Sequence, residues 1–215
     1  PAASKVYRAA KIILSQPNIK GYFASGSGVA SQEQYHSARG LVKAFYEENL
    51  DIPAVIRLGG NFEEKAIEIL SDCLNAIPGK VEGYGCDDSP EFCAQRMEEL
   101  INENNVRSFK IRPLGKPVTP EKSYTFETLT GRIFIDHQIC ADCSSKGCIQ
   151  ECQPRILKLK QGFPVLAISE EEAKKGKCTE CLACEIFCKF SGRDAICIHL
   201  PIPGLEEYRD KILKK

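Results

Sequence analysis

Between residues 3 and 101 the apolar positions recur with two alternating periods. Ala3 to Ser15 places Val6, Ala9, Ala10, Ile13 and Leu14 at helical spacing, and Pro17-Asn18 ends the pattern. Lys20 to Ser25 reads as a short buried strand. A helix follows from about Gln32 to Glu48, with Tyr35, Leu41, Val42, Phe45 and Tyr46 among its apolar positions. Ile52 to Leu58 is a second apolar strand and ends in Gly59-Gly60-Asn61. The helix from Phe62 to Cys73 turns Ala66, Ile67, Ile69 and Leu70 inward, and Val81 to Gly85 predicts a third strand. Ser89-Pro90 supplies an N-cap and a first helical residue for a helix running to Ile101. Glu91 suits the positive end of the helix dipole. Phe92 at the third position leaves no capping box.

Alternating helices and strands predict an α/β domain with a parallel sheet covered by helices. Ligands of such sheets sit beyond the carboxyl ends of the strands. Two glycine-rich segments fall there: Gly26-Ser27-Gly28 and Gly59-Gly60-Asn61. Glycines let backbone N–H groups approach an anion beside a helix N-terminus. The same glycines also serve tight turns that need their dihedral freedom. Gly26, Ser27 and Gly28 are therefore a candidate phosphate or anion loop, with a turn as the alternative.

The order helix, Lys20-Gly-Tyr-Phe, Gly26–Ala30, helix, Ile52-Pro-Ala-Val-Ile-Arg-Leu-Gly-Gly-Asn61 resembles a known family over about residues 1–105. It is similar to the carboxy-terminal, flavodoxin-like domain of the succinyl-CoA synthetase β subunit and of related ADP-forming acyl-CoA ligases. The resemblance implies a loop at Gly26, Ser27 and Gly28 aimed at a phosphohistidine of a partner subunit, and it matches Arg57 and Asn61 to the family's Arg and Asn. The family's opening strand, with its Gly-Gly motif, and its ATP-grasp domain have no counterpart here. This half alone therefore lacks the ligase reaction. It either docks to a partner carrying the missing pieces or is a retained scaffold, and the sheet lacking its opening strand invites completion by another chain.

Composition then narrows the classes. The 215 residues carry 29 basic and 29 acidic side chains, so nothing points to nucleic acid. No apolar run reaches the length of a membrane span, and the first residues lack a signal core, which predicts a cytoplasmic protein. Residues 112–122 hold three prolines and no helical period, which marks a linker. The organisation expected is an α/β domain at 1–111, a Pro-rich linker at 112–124, a cysteine-rich α+β domain at 125–203 and a tail helix at 204–215. Within the third, Thr125–Asp136 reads as strand, 156–160 and 163–168 as two strands about a tight turn, 170–175 as a short charged helix and Ala195–Leu200 as a closing strand.

Eight of the twelve cysteines lie in two runs, Cys140-x2-Cys143-x4-Cys148-x3-Cys152 and Cys178-x2-Cys181-x2-Cys184-x3-Cys188. Their spacing and the absent secretion signal favour metal over disulfides. Cys178-x2-Cys181-x2-Cys184 is too dense for one tetrahedral zinc. The second run has the spacing that holds cubane iron–sulfur clusters. Cys73, Cys86 and Cys93 form no ligand set, and Cys197 reads as a packing residue. His36, His137 and His199 read as structural, with His137 also placed to tune a nearby cluster.

Over about residues 128–200 the chain resembles the two-cluster bacterial-type ferredoxins. The resemblance implies two [4Fe-4S] clusters with crossed ligands: Cys140, Cys143, Cys148 and Cys188 for one, Cys178, Cys181, Cys184 and Cys152 for the other. Four residues, Ser144 to Gly147, stand between the second and third cysteines of the first run where the family has two, and the usual proline after the fourth cysteine is displaced to Pro154 in the first run and is Lys189 in the second. The expectation is an electron-transfer subunit of an anaerobic oxidoreductase complex, itself without catalytic residues. It would be docked through the ligase-like half to a catalytic subunit carrying an ATP-grasp or CoA-binding domain, and would work with a redox donor or acceptor protein. The alternative is a split β-type subunit of an acid–CoA ligase whose clusters are structural or redox-sensing.

Overall fold

The computed structural model describes residues 2–27, 33–72, 76–103, 108–111 and 123–214. The described chain falls into two compact units, one from 3–111 together with 203–214, the other from 123–202. The linker expected at 112–124 lies almost wholly outside the described residues.

The first unit contains α1 (Ala3–Ile13), β1 (Tyr22–Ser27), α2 (Gln34–Glu48), β2 (Ala54–Gly59), α3 (Glu63–Asp72), β3 (Val81–Tyr84) and α4 (Pro90–Glu103). The strands form a parallel sheet in the order β1-β2-β3, with Tyr22 opposite Ala54 and Ala54 opposite Val81. Side chains alternate across the sheet. Val55 packs with Cys93, Met97 and Leu100 of α4, while Gly83 meets Ile67 and Leu70 of α3. The predicted cap holds: the Ser89 hydroxyl accepts from the Phe92 N–H at 3.1 Å.

Three expectations change here. First, α1 buries Ala3, Ser4, Tyr7, Ala10 and Lys11, while Ile13 is 46% exposed. A close crossing sets that face: a Cβ on Gly40 of α2 would stand 2.5 Å from the Ala3 carbonyl, and Tyr7 and Lys11 bind Glu47. Second, Gly26 and Ser27 extend β1, opposite Leu58 and Gly59. Third, in flavodoxin-like order the opening strand lies between the second and third. Without it, β1 and β2 are direct neighbours.

The second unit contains β4 (Tyr124–Glu127), β5 (Arg132–Ile135), α5 (His137–Ala141), β6 (Leu157–Lys160), β7 (Phe163–Leu166), α6 (Glu170–Glu172), a π-helical turn (Ala173–Lys177), α7 (Ala183–Ser191) and β8 (Ile196–His199). The stretch read as one strand is a hairpin. The Thr128 N–H donates to the Gly131 carbonyl at 2.9 Å, and the Gly131 N–H donates to the Thr128 hydroxyl at 3.1 Å. β4, β5 and β8 form an antiparallel sheet that pairs Ile133 with Ile198. β6 and β7 turn at Gln161 and Gly162, both at positive φ, as a tight hairpin turn requires. Ser169 and Glu172 close a capping box on α6.

The chain then returns to the first unit as α8 (Leu205–Leu213). The Arg209 guanidinium grips both Glu48 oxygens, at 2.7 and 2.8 Å, with both side chains buried. Lys11 also binds Glu48, and Lys43 binds Glu47 at 2.7 Å.

Candidate metal centres

The first cysteine run starts on α5. The Asp136 carboxylate caps that helix, accepting from the Gln138 and Ile139 N–H groups at 2.8 and 3.1 Å. This fixes the direction in which Cys140 enters the interior. The loop after it contains the four-residue segment Ser144–Gly147. Lys146, at φ 45°, folds back so that its ammonium binds the Cys140 carbonyl and stands 3.4 Å from the Cys140 sulfur. Gly147 lies under the Phe187 ring of α7, where a Cβ would collide.

The second run wraps the start of α7. Glu180 and Leu182 adopt left-handed backbone at φ 51° and 62°, which bends the loop back on itself between Cys178 and Cys184. Glu180 is buried, 5% exposed. Its carboxylate accepts from the Thr128 hydroxyl at 2.7 Å, the Thr130 N–H at 2.7 Å and the Thr130 hydroxyl at 2.6 Å. The cysteine loop is thereby pinned to the β4–β5 turn. Cys184 and Cys188 share a face of α7, four residues apart.

Pairing of β5 with β8 carries the end of the second run to the start of the first. The Asp136 N–H donates to the Ala195 carbonyl at 2.8 Å, and the Ala195 N–H donates to the Cys188 sulfur at 3.2 Å.

The thiols that act on one another sort into two groups. Burial, and after it Cys188, Cys140 and Cys143, push Cys148 up to about 12. Burial raises Cys140, helped by Cys143 and Cys188 and opposed by Lys146. Burial, and after it Cys181 and Cys152, push Cys178 up to about 12. Cys184 is raised well above an ordinary thiol by burial, then by Cys181, Cys152 and Cys178. Each group joins three cysteines of one run to the fourth of the other. A small, apolar cavity of about 20 Å³ is lined by Cys152, Cys178, Cys181 and Cys184 together with Leu182 and Ile198. In each group three thiols are buried, and the fourth, Cys143 or Cys181, is half-exposed. Cys143 is also lowered, chiefly by the Lys146 backbone N–H.

Among the described residues no three His, Cys, Asp or Glu side chains converge on a point suited to a single metal ion. A mononuclear site needs its donors about 2.0–2.3 Å from one atom, whereas a four-iron cluster is gripped from outside by thiolates standing further apart. Four cysteines around one apolar cavity fit the second kind of group.

Cys93 is buried in the α4 core and Cys86 is exposed. Cys73 lies outside the described residues. The His137 ring stacks between Tyr124 and Phe163, at 5.5 and 4.7 Å, with Nε2 3.1 Å from the Pro164 carbonyl.

In the first unit, Gly28 lies outside the described residues, so the segment Gly26, Ser27, Gly28 is seen only through its two strand residues. At the neighbouring strand end, the Gly60 N–H, at φ 131°, donates to the Glu63 carboxylate at 2.7 Å. The Cys86 N–H donates to the same oxygen at 3.1 Å. The chain's own carboxylate occupies these two donors. Arg57 turns to the Cys86 carbonyl at 3.0 Å and to that of Asp88.

Part of this chain is similar to succinate–CoA ligase β subunits. The ADP-forming β subunit of Cereibacter sphaeroides is 40% identical over 76 residues, which cover 35% of this chain and 19% of that one. The GDP-forming β subunit of Thermus thermophilus is 35% identical over 68 residues, 32% of this chain and 18% of its own. The chain spans about a fifth of the length of the curated relatives it matches. No family model matches the chain, and no solved structure matches it significantly. A CoA-ligase-like region is therefore present.

Two residues of the cysteine unit escaped the sequence reading, Lys146 and Glu180. A lysine inside the extra loop and a glutamate between two closely spaced cysteines were the available signals. Their contacts with Cys140 and with the β4–β5 turn arise only on folding. No helix among the described residues is long and apolar enough to cross a membrane.

Proposed function

We propose that this chain is an iron–sulfur electron-transfer subunit of a larger oxidoreductase complex, docked to a catalytic partner through its CoA-ligase-like part. The observation that supports this reading is the apolar cavity lined by Cys152 of the first run together with Cys178, Cys181 and Cys184 of the second, with six of the eight thiols buried. Cys140, Cys143, Cys148 and Cys188 would hold one [4Fe-4S] cluster, and Cys178, Cys181, Cys184 and Cys152 the other. Bound there, such clusters supply one-electron transfer and no bond chemistry of their own, since four thiolates close each site.

The protein's own residues then have defined tasks. The buried thiols give up their protons on ligation and shield the sites from water. The half-exposed Cys143 and Cys181 are the points nearest solvent, where a partner protein's one-electron donor or acceptor approaches. Asp136, Thr128, Thr130 and Glu180 hold the two cysteine loops in position. The ligase-like unit recognises the partner, which on this reading handles a CoA thioester or uses ATP.

Anaerobic purification tests the proposal directly. The expected product is brown, with about eight iron and eight labile sulfide atoms per chain, following from two cubanes. A colourless protein carrying zinc would refute it. The similarity to ligase β subunits favours a second reading, a split β-type ligase subunit with structural or redox-sensing clusters. Isolation of the native complex separates the two. An ATP-grasp partner and acid–CoA ligase activity support the second reading; a partner with flavin or another redox cofactor supports the first.

A further inference from the structure

The two candidate sites differ in the charge built against them. At the first, the Lys146 ammonium lies 3.4 Å from the Cys140 sulfur, held by the Cys140 carbonyl. At the second, the buried Glu180 lies in the loop between Cys178 and Cys181, and three donors bind its carboxylate oxygens. An ionised carboxylate accepts at every one of these contacts. Backbone N–H donors reach sulfur at both sites, from Lys146 and Ser145 to Cys143 and from Glu180 to Cys178, so they do not distinguish the two. The charged neighbours Asp142 and Lys177 are exposed and screened by water. The half-buried Lys146 at the first site and the buried Glu180 and Glu185 beside the second therefore carry charges of opposite sign.

We propose that Lys146 and Glu180 set the two centres at different reduction potentials, so that the Cys140–Cys143–Cys148–Cys188 site is reduced first. This rests on the reading of two bound cubanes. Reduction adds one negative charge to a site. A cation against a ligand sulfur favours the reduced state, and a buried carboxylate opposes it. Lys146 and Glu180 are positioning residues in this scheme. They bind no iron and act through the field at the sulfurs.

The test is an anaerobic potentiometric titration of the full holo-chain, with dithionite as the one-electron reductant and electron paramagnetic resonance as the readout. Iron and sulfide are assayed in every sample. Two one-electron waves are expected. Lys146→Met lowers the upper wave alone by about tenfold in its reduction equilibrium, about 59 mV for one electron. Lys146→Arg leaves that wave in place. Glu180→Gln raises the lower wave alone by a similar factor. Should Glu180→Gln fail to fold, the Met and Arg pair at position 146 still decides. Eight irons with an upper wave indifferent to Lys146→Met, or a shift of the lower wave instead, overturns this inference and leaves the cluster reading intact. Fewer than two cubanes in the unsubstituted protein overturns both.

Discussion

Glu48 is a buried carboxylate gripped by Arg209 and also bound by Lys11. Such pairs add little over a well-packed apolar core, but losing one partner strands the other. Glu48→Ala removes the carboxylate that Arg209 and Lys11 share, leaving Lys11 with Glu47, and is expected to cost about 3–5 kcal/mol. Arg209→Ala is expected to cost less, because Lys11 stays on Glu48. Denaturant midpoints of the first unit check the order. Nothing in the sequence pattern distinguished Arg209 from a surface arginine of an amphipathic tail helix, since burial of a charge depends on a partner 161 positions away. Ser89 is the opposite case. Its role follows from the local order Ser-Pro-Glu, and Ser89→Ala is expected to lower stability by about 1 kcal/mol in the same measurement.

At the scale of elements, α8 and the β5–β8 pair show what chain order hides. Truncation after Gly204 removes Arg209 and should destabilise the first unit at least as much as Arg209→Ala. On the proposed cluster reading, iron content of the second unit should stay unchanged, because no cysteine of either run lies in α8. Loss of iron on this truncation would show that α8 also supports the cysteine unit. The β5–β8 pairing was foreshadowed by the likeness of Ile133-Phe-Ile135 to Ile196-Cys-Ile198, two apolar strands bracketing the runs. The β4–β5 turn was missed because Thr-Leu-Thr-Gly alternates like the strands it joins. Its side chains are turned to Glu180, a contact fifty residues distant.

For the whole molecule, the two units should respond separately to acid and to loss of iron. Partial burial pushes Glu82 up, but hydrogen bonds from Arg96, Tyr84 and Lys80 outweigh it and take the carboxyl down to about 2. A group depressed in the folded state stabilises above its unfolded value and loses that contribution as pH falls through the folded one. The first unit should therefore lose stability between about pH 4.5 and pH 2, and Glu82→Gln should flatten that slope in acid titrations followed by circular dichroism. On the proposed cluster reading, chelation or oxidation of the iron is expected to lower the melting transition of the second unit alone, since cluster binding there would be coupled to folding. Calorimetry that shows both transitions moving together would argue that the units fold as one.

By itself the sequence determined the helices and strands of the first half, the Ser89 cap, and the two cysteine runs with their spacing. These are local properties: a period, a turn or a cap is written within a few neighbouring residues. The tertiary structure alone decided the face that α1 buries, the closing of β1 directly onto β2, and the return of α8 to Glu48. It also decided the occupation of the Gly60 and Cys86 N–H groups by Glu63, the approach of Lys146 to Cys140 and the anchoring of Glu180 on the β4–β5 turn. Most of these are contacts between residues far apart in the chain. Their burial and charge acquire an energy only when the fold brings them within a few ångströms and removes the water between them.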